Sequence, residues 1–424
     1  MFTIAKENID IKFYMHVRVV MSVGLIGLGS IGFNLALNIQ KKNDIHVFNR
    51  SPEKTRTLMN MSPGVFGHES VCEMVSKMNT PRTIITTLPH GDATESVVNV
   101  LAKIMDPSDL IVDCSNEYFE TTRRRESLCV SKNIGYIDAG ISGGTRGALH
   151  GPCLMISGNK KHFQSRQTFF ESFAVNVTHV SAQPGHGHFT KMVHNGIEYG
   201  MLQAMSDVFS YCNQDQKLMK TVLRHVRGTD IDGYLTNYGD DVIDSYDIHT
   251  ISDVAQMNNT GVWCSSLSNT LGIPTPTIDA SVNARFASRF RKSINTAQSE
   301  NVFFDATLAA DALRFAFASA FIEGYDIMNS QYIKRSKIVK AWSKGTLISC
   351  DLVGKDLYDV LDETVVSART FVMHCVRAGI PCPAIQAALT NYDFVHQKRT
   401  SINYLMAQRN YFGNHAIEQF YTSE

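Results

Sequence analysis

A mostly parallel α/β sheet domain followed by an all-α domain with an internal repeat is the fold the sequence predicts, on three observations. A short apolar run, Ser22 to Ile26, leads straight into the turn Gly27-Leu28-Gly29-Ser30-Ile31-Gly32. Strand-like and helix-like stretches then alternate as far as Ala139, the rhythm of βαβ units. Beyond Lys191 the strand pattern stops, and Gly272-Ile273-Pro274-Thr275-Pro276 returns as Gly379-Ile380-Pro381-Cys382-Pro383. Each copy sits between apolar helical stretches, as a glycine stop and a proline restart require. The expected division is an extension over 1–21, a nucleotide domain over 22–188, a helical domain over 189–412 and a short tail over 413–424.

Bulk properties narrow the function classes. A chain of 424 residues exceeds one ordinary core, so more than one domain is expected. Forty basic residues balance forty acidic ones. That balance gives no electrostatic case for nucleic acid or a membrane surface. No apolar run approaches the ~20 residues a membrane helix needs. The nine cysteines are scattered without a C-x-x-C pair, which suits free, mostly buried thiols in a reducing compartment. In the extension, Glu7 and Asp10 argue against an organelle presequence, so a cytoplasmic location is expected.

The glycine turn predicts a Rossmann-type dinucleotide site. Gly27 permits the tight turn, Gly29 lets the backbone approach a pyrophosphate, and Gly32 lets helix and strand pack. Ser30 and Ile31 open the helix on which the diphosphate rests. The second strand, Ile45 to Phe48, ends in Asn49-Arg50-Ser51, where an NAD site normally carries an acidic residue. Arg50 can grip an extra phosphate, with Asn49 and Ser51 as neutral donors, so NADP is favoured. Further strands are expected over Arg82 to Leu88, Leu110 to Asp113 and Tyr136 to Ala139. Their carboxyl ends lead into loops holding Leu88, Asn116 and Ser142-Gly143-Gly144, where ligands of such sheets bind.

The run from His188 to Cys212 contains no proline and has apolar residues at three- and four-residue spacing, so a long helix is expected. Lys191, His194, Asn195 and Glu198 fall at i, i+3, i+4 and i+7, on one face. The bland alternative is a solvated polar face. Gly196 and Gly200 each cost about 1 kcal/mol against alanine in a helix, which implies close packing nearby. A second long helix, amphipathic in pattern, is expected over Ala306 to Met328.

Together these pieces form a pattern. G-L-G-S-I-G (27–32) is followed by N-R-S (49–51), I-S-G-G-T-R-G-A-L-H-G-P (141–152) and K-M-V-H-N-G-I-E-Y-G (191–200). D-V-A-Q-M-N-N-T-G-V-W (253–263), A-R-F (284–286) and A-Q-R-N-Y-F-G-N-H (407–415) continue it. The sequence resembles the 6-phosphogluconate dehydrogenase family, within the β-hydroxyacid dehydrogenase superfamily, over nearly everything from Met21 onward. The resemblance implies NADP-dependent oxidative decarboxylation of 6-phosphogluconate, without a metal. It implies that Lys191 is the general base at the carbon 3 hydroxyl and Glu198 the acid that protonates carbon 1. For these roles the amine must titrate below its usual value and the carboxyl above it. The resemblance also implies that His194, Asn195 and Asn116 orient the sugar acid and that Ser142, Gly143 and Gly144 hold its carboxylate. Tyr199, Thr260 and Arg285 would hold the phosphate, with Arg409 and His415 supplied by the partner of a homodimer.

Four departures qualify that expectation. Asn258 stands where the family has a lysine, which predicts weaker substrate affinity unless Lys292 supplies the charge. The loop holding Asn116 is one residue shorter. Leu88-Pro89-His90-Gly91 replaces a lysine-bearing cofactor loop. The chain also stops soon after His415, short of the family's usual extension. Two alternatives follow. One is a superfamily dehydrogenase for a short acid such as 3-hydroxyisobutyrate, which has no use for Arg285, Arg409 and His415. The other is an impaired NADP-binding homologue, against which Lys191 and Glu198 both stand.

Overall fold

Short runs of β-branched and aliphatic residues form the sheet of the amino-terminal half. The computed structural model describes residues 21–290 and 303–416, so residues 1–20 of the extension, Lys292 and the tail beyond residue 416 lie outside the described residues. The strands are β1 (Ser22–Ile26), β2 (Ile45–Phe48), β3 (Val65–His68), β4 (Arg82–Thr86), β5 (Leu110–Asp113), β6 (Gly135–Ser142), β7 (Cys153–Gly158) and β8 (Asn176–Ser181). They lie in the order β3-β2-β1-β4-β5-β6-β7-β8, and every pairing is parallel except β6 with β7. Neighbours Ile84 and Ile85 belong to separate apolar clusters and both are buried, so the sheet is covered on its two faces. Because β1, β2, β4, β5 and β6 run the same way, their following loops emerge along one edge.

Three strands escape the sequence pattern. β3 is an edge strand with a single buried residue, β7 is a short apolar run without clear alternation, and β8 is mostly polar, with Val177 and Val180 its apolar residues. Periodicity cannot separate such runs from helix or loop. The strand expected to reach Leu88 stops at Thr86, whereas β6 is longer than expected and ends on Ser142 itself.

The long helix expected from His188 to Cys212 spans His186–Tyr211 and is called the site helix below. Its start is fixed by the buried Asp138, which accepts from the Gly185 and His188 N–H groups at 2.8 and 2.9 Å. A carboxylate there meets the positive end of the helix dipole. The helix lies directly on the sheet: a Cβ on Gly140 would stand 2.4 Å from the Lys191 Cβ. The close packing inferred for Gly196 and Gly200 is present. A Cβ would meet Cys264 Sγ at 2.5 Å in the first case and Ala320 Cβ at 2.9 Å in the second.

The second long helix spans Ala306–Asn329, and its burial pattern is amphipathic as expected. Ala312, Phe315, Ala316, Phe317, Ala318 and Phe321 are all fully buried and make it the axis of the helical half, while Thr307, Asp311, Arg314 and Asp326 form a narrow polar stripe that stays at least partly exposed. It packs against the site helix and against Leu357–Ala378. The repeat is real in three dimensions. Gly272 and Gly379 end their helices at φ +68° and +66°, and Pro276 and Pro383 open the next ones, Pro276–Ala287 and Pro383–Val395. The two halves also exchange caps. Glu323 of the axial helix accepts from the Thr277 and Ile278 N–H groups, and Asp207 of the site helix accepts from those of Ala384 and Ile385. Each buried carboxylate satisfies two orphan donors of the opposite repeat's helix start. Among the described residues no helix is long and apolar enough to cross a membrane.

Candidate active site

The glycine turn is built as its residues dictate. Gly27 has φ +101°, and a Cβ there would lie 2.7 Å from the Thr87 carbonyl oxygen. On Gly32 a Cβ would come within 2.0 Å of the Gly27 oxygen, so only glycine lets the helix Ser30–Ile39 start so close to β1. Gly29, by contrast, has nothing within 4 Å of that position: its face is open. No side chain caps the helix at Gly29, so the first-turn N–H groups, with Ser30 and Ile31, remain available to a diphosphate. Leu28, Gly29, Ser30, Phe33, Asn34, Lys54 and Thr57 enclose a groove of about 280 Å³ beside the turn. The residues present therefore fit a dinucleotide.

The end of β2 adds structural bonds to the donors expected from the sequence. Asn49 Oδ1 accepts from the Leu28 N–H at 2.8 Å and its Nδ2 donates to the Ser51 oxygen at 2.9 Å. Its amide thus shapes the turn, and the second hydrogen of its NH2 group is left to act as the neutral donor expected. Arg50 and Ser51 are exposed. Lys54, one turn further on, is a second cation at the groove that sequence reasoning missed; its signal was the spacing from Arg50 at the start of a helix.

Across the same edge, Leu88 is half-buried and Asn116 exposed. The neighbour of Asn116 is the structural residue: Glu117 accepts from the Gly91 N–H at 2.8 Å and pairs with Arg125 at 2.8 Å. Arg125 also donates to the Gly91 oxygen and reaches Asp113 and Glu95, although its side chain is 1% exposed. Both polar groups of the Gly91 peptide are therefore pinned from below. His90 then reaches the helical half, edge-on to Trp263 at 5.1 Å between ring centroids.

The face of the site helix is buried, not solvated. Lys191 is 7% exposed, His194 0% and Asn195 5%, while 16% of the Glu198 side chain stays open. His194 ties the group together. Its Nε2 is 3.0 Å from Ser142 Oγ, and its Nδ1 is 3.3 Å from Lys191 Nζ and 3.7 Å from Glu198 Oε2. Asn195 Nδ2 donates to Thr260 Oγ1 at 2.8 Å. Gly143 and Gly144, after β6, take φ +112° and +62°, and a Cβ on Gly144 would meet nothing within 4 Å.

Burial sets the charges of this cluster. It lowers the Lys191 ammonium below its usual range, with the Glu198 and Cys153 charges pulling the other way. It raises the Glu198 carboxyl, opposed by Lys191 and Arg285. His194 is held well below its ordinary value by burial and then by the Lys191 charge, so it is a neutral imidazole. The directions are those a lysine base and a glutamic acid donor need.

One turn on, Arg285 stacks over the Tyr199 ring with 3.7 Å to the centroid, and its Nη1 donates to the Gln256 oxygen at 3.1 Å. Tyr199 Oη donates to Asn258 at 3.4 Å, and Asn258 Oδ1 accepts from the N–H and hydroxyl of Thr260. Gly261 is needed here because a Cβ would stand 2.4 Å from the tyrosine ring. Arg409 and His415 are not brought to this cluster within the chain; they lie on and just after helix Ile402–Gly413, which buries no residue.

A dinucleotide turn on the sheet, with a buried lysine–glutamate pair on the helix that packs against it, defines the class: a dinucleotide-dependent dehydrogenase. A family profile described as the NAD binding domain of 6-phosphogluconate dehydrogenase matches residues 22–181. A second, the C-terminal domain of 6-phosphogluconate dehydrogenase, matches 187–364 and 352–424. The chain belongs to the 6-phosphogluconate dehydrogenase family. The NADP(+)-dependent, decarboxylating 6-phosphogluconate dehydrogenase of Bacillus subtilis (strain 168) is 29% identical over 453 residues, 94% of this chain and 96% of that one. The decarboxylating enzyme of Escherichia coli (strain K12) is 28% identical over 454 residues, with the same coverage. The Plasmodium falciparum 6-phosphogluconate dehydrogenase, solved apo, with NADP+ and with 6-phosphogluconate, superposes with a TM-score of 0.83 at 25% identity, covering 95% of this chain and 98% of that one. The 3-hydroxyisobutyrate dehydrogenase of Salmonella typhimurium shares the fold alone, with a TM-score of 0.51 over 64% of this chain and 95% of that one, at 20% identity.

Proposed function

We propose that the chain catalyses the NADP-dependent oxidative decarboxylation of 6-phosphogluconate to ribulose 5-phosphate and carbon dioxide. The observation that carries this is the buried pair Lys191 and Glu198, opposed in titration and joined through His194. Bound NADP supplies the acceptor for the hydride from carbon 3. Lys191 takes the proton of the carbon 3 hydroxyl and returns it to the carbonyl oxygen as the carboxylate leaves. Glu198 then protonates carbon 1 of the enediol. Ser142, with the Gly143 and Gly144 backbone, holds the carboxylate, and His194, Asn195 and Asn116 orient the sugar acid. Tyr199, Thr260 and Arg285 hold the phosphate. Gly27, Gly29, Ser30, Ile31, Gly32, Asn49, Arg50, Ser51, Leu88 and Asn116 form the cofactor side.

The same reading keeps residues 22–188 as the cofactor domain, 189–412 as the substrate and dimerisation domain, and 413–424 as a tail, in a cytoplasmic homodimer. Helix Ile402–Gly413 supports the dimer: Tyr404, Leu405, Tyr411 and Phe412 are exposed beside Arg409, an arrangement that costs apolar hydration unless a second subunit covers it. NADPH formation followed by absorbance tests the reaction. Turnover is expected with 6-phosphogluconate and not with 3-hydroxyisobutyrate, and the reverse pattern would refute the substrate assignment.

Two substitutions probe the ligand contacts. Arg50→Asp is expected to shift preference from NADP toward NAD by about 10- to 100-fold, since a charge-assisted bond is worth about 1.5–3 kcal/mol; unchanged discrimination removes Arg50 from the cofactor site. Asn258→Lys restores a cation beside Tyr199 and Thr260, and the KM for 6-phosphogluconate is expected to fall by about tenfold or more. Because Asn258 also caps helix Asn259–Leu271, the same change is expected to cost roughly 1 kcal/mol of stability. A KM that stays put or rises would show that no phosphate sits there.

A further inference from the structure

The repeated turn of the helical half carries different chemistry at two facing positions. In the first copy Ser268, near the end of helix Asn259–Leu271, faces Thr275, with the hydroxyls 2.7 Å apart. In the second copy the corresponding positions are Cys375 and Cys382. The backbones match. Ile273 N–H donates to the Ser268 oxygen at 2.9 Å, and Ile380 N–H to the Cys375 oxygen at 2.8 Å. Thr275 has φ −134° and ψ 53°, and Cys382 has φ −136° and ψ 60°. A backbone that joins two hydroxyls brings two thiols together as well. Side chains whose terminal atoms touch in this way are compatible with the Cβ separation of about 3.5–4.5 Å that a disulfide spans. Both cysteines are free and buried.

We propose that Cys375 and Cys382 form a redox modification site, converted by peroxide into an intramolecular disulfide that ties helix Leu357–Ala378 to helix Pro383–Val395. One thiol reduces the peroxide, becomes a sulfenic acid and releases one water. The second thiol attacks that sulfur, the S–S bond forms, and a second water leaves. Two electrons pass from the two sulfurs to one peroxide, so the balance closes without a further reactant. Contact with Cys375 and burial raise the Cys382 thiol, so the thiolate is scarce and the step is slow beside that of an exposed cysteine. The bridge braces the seat of the site helix, because Asp207 accepts from Ala384 and Ile385 just beyond Cys382. It leaves the catalytic face untouched.

The test uses the full chain, incubated with hydrogen peroxide, quenched, alkylated in denaturant and cut with trypsin without reduction. Trypsin cuts after Arg377, between the two cysteines, so peptides 370–377 and 378–398 stay joined only through a disulfide. The joined pair is expected, lighter by two hydrogens than the sum of its halves, lost on reduction and absent from Cys382→Ser. That variant copies the hydroxyl chemistry of the sister turn and so keeps its fold. Oxidation is also expected to raise the Tm of the parent chain, by restricting its unfolded state, and not that of the variant. Alkylated thiols or sulfinic acids at both positions, while the exposed Cys72 is oxidised, would overturn the proposal.

Discussion

Lys191→Met is expected to bind NADP as the parent chain does and to lose about 10²–10⁴-fold in kcat, the usual contribution of a positioned general base. Methionine fills much of the same volume in a site where Lys191 is 7% exposed, so the helix face stays packed. What disappears is the amine proposed to accept the carbon 3 hydroxyl proton. The cofactor turn is untouched, because Gly27, Gly29 and Gly32 belong to β1 and its following helix. Removing the amine also removes a charge from His194, which lies 3.3 Å away and is depressed partly by it. Cofactor titration and single-turnover NADPH formation separate these effects. Retained NADP binding with kcat within tenfold of the parent would exclude Lys191 as the base.

Glu198→Gln is expected to lower kcat by about 10²–10⁴-fold and to change the shape of its pH profile. Burial raises the Glu198 carboxyl, so the protonated donor persists above the ordinary carboxylate range and is lost as pH rises through the raised value. That loss is the alkaline limb. Burial lowers the Lys191 ammonium, so the neutral base appears below the ordinary lysine range and is lost as pH falls through the lowered value. That loss is the acid limb. The two limbs belong to the interacting pair, with macroscopic values shared between the groups. Glutamine cannot titrate, so the variant is expected to keep the acid limb and lose the alkaline one. An unchanged two-limbed profile would assign the acid to another residue.

Local signals made much of this molecule legible in its sequence. The glycines at 27, 29 and 32 act through backbone geometry within one turn, and the face carrying Lys191 and Glu198 follows from helical periodicity alone. Signals failed where a partner lies far along the chain. Arg125 sits in the run Arg123-Arg124-Arg125, which reads as a solvated charge cluster, and nothing local marks it as the one buried under Gly91. The turn-shaping hydrogen bond between Asn49 and Leu28 is silent in the sequence for the same reason, since it spans 21 residues. The crossed caps of Asp207 and Glu323 depend on helices 177 and 46 residues away. The polar stripe Asp311, Arg314 and Asp326 marks the axial helix as amphipathic, whereas the burial of its alanine-rich side, Ala309, Ala312 and Ala316, is not legible because such small side chains look like surface.

A structure of the chain with 6-phosphogluconate bound tests the central claim most directly. The oxygen on carbon 3 is expected within about 2.6–3.2 Å of Lys191 Nζ. The Glu198 carboxyl is expected on the carbon 1 side, and the phosphate against Tyr199, Thr260 and Arg285. A sugar acid seated elsewhere, or seated here with both side chains turned away from carbons 1 and 3, would contradict it.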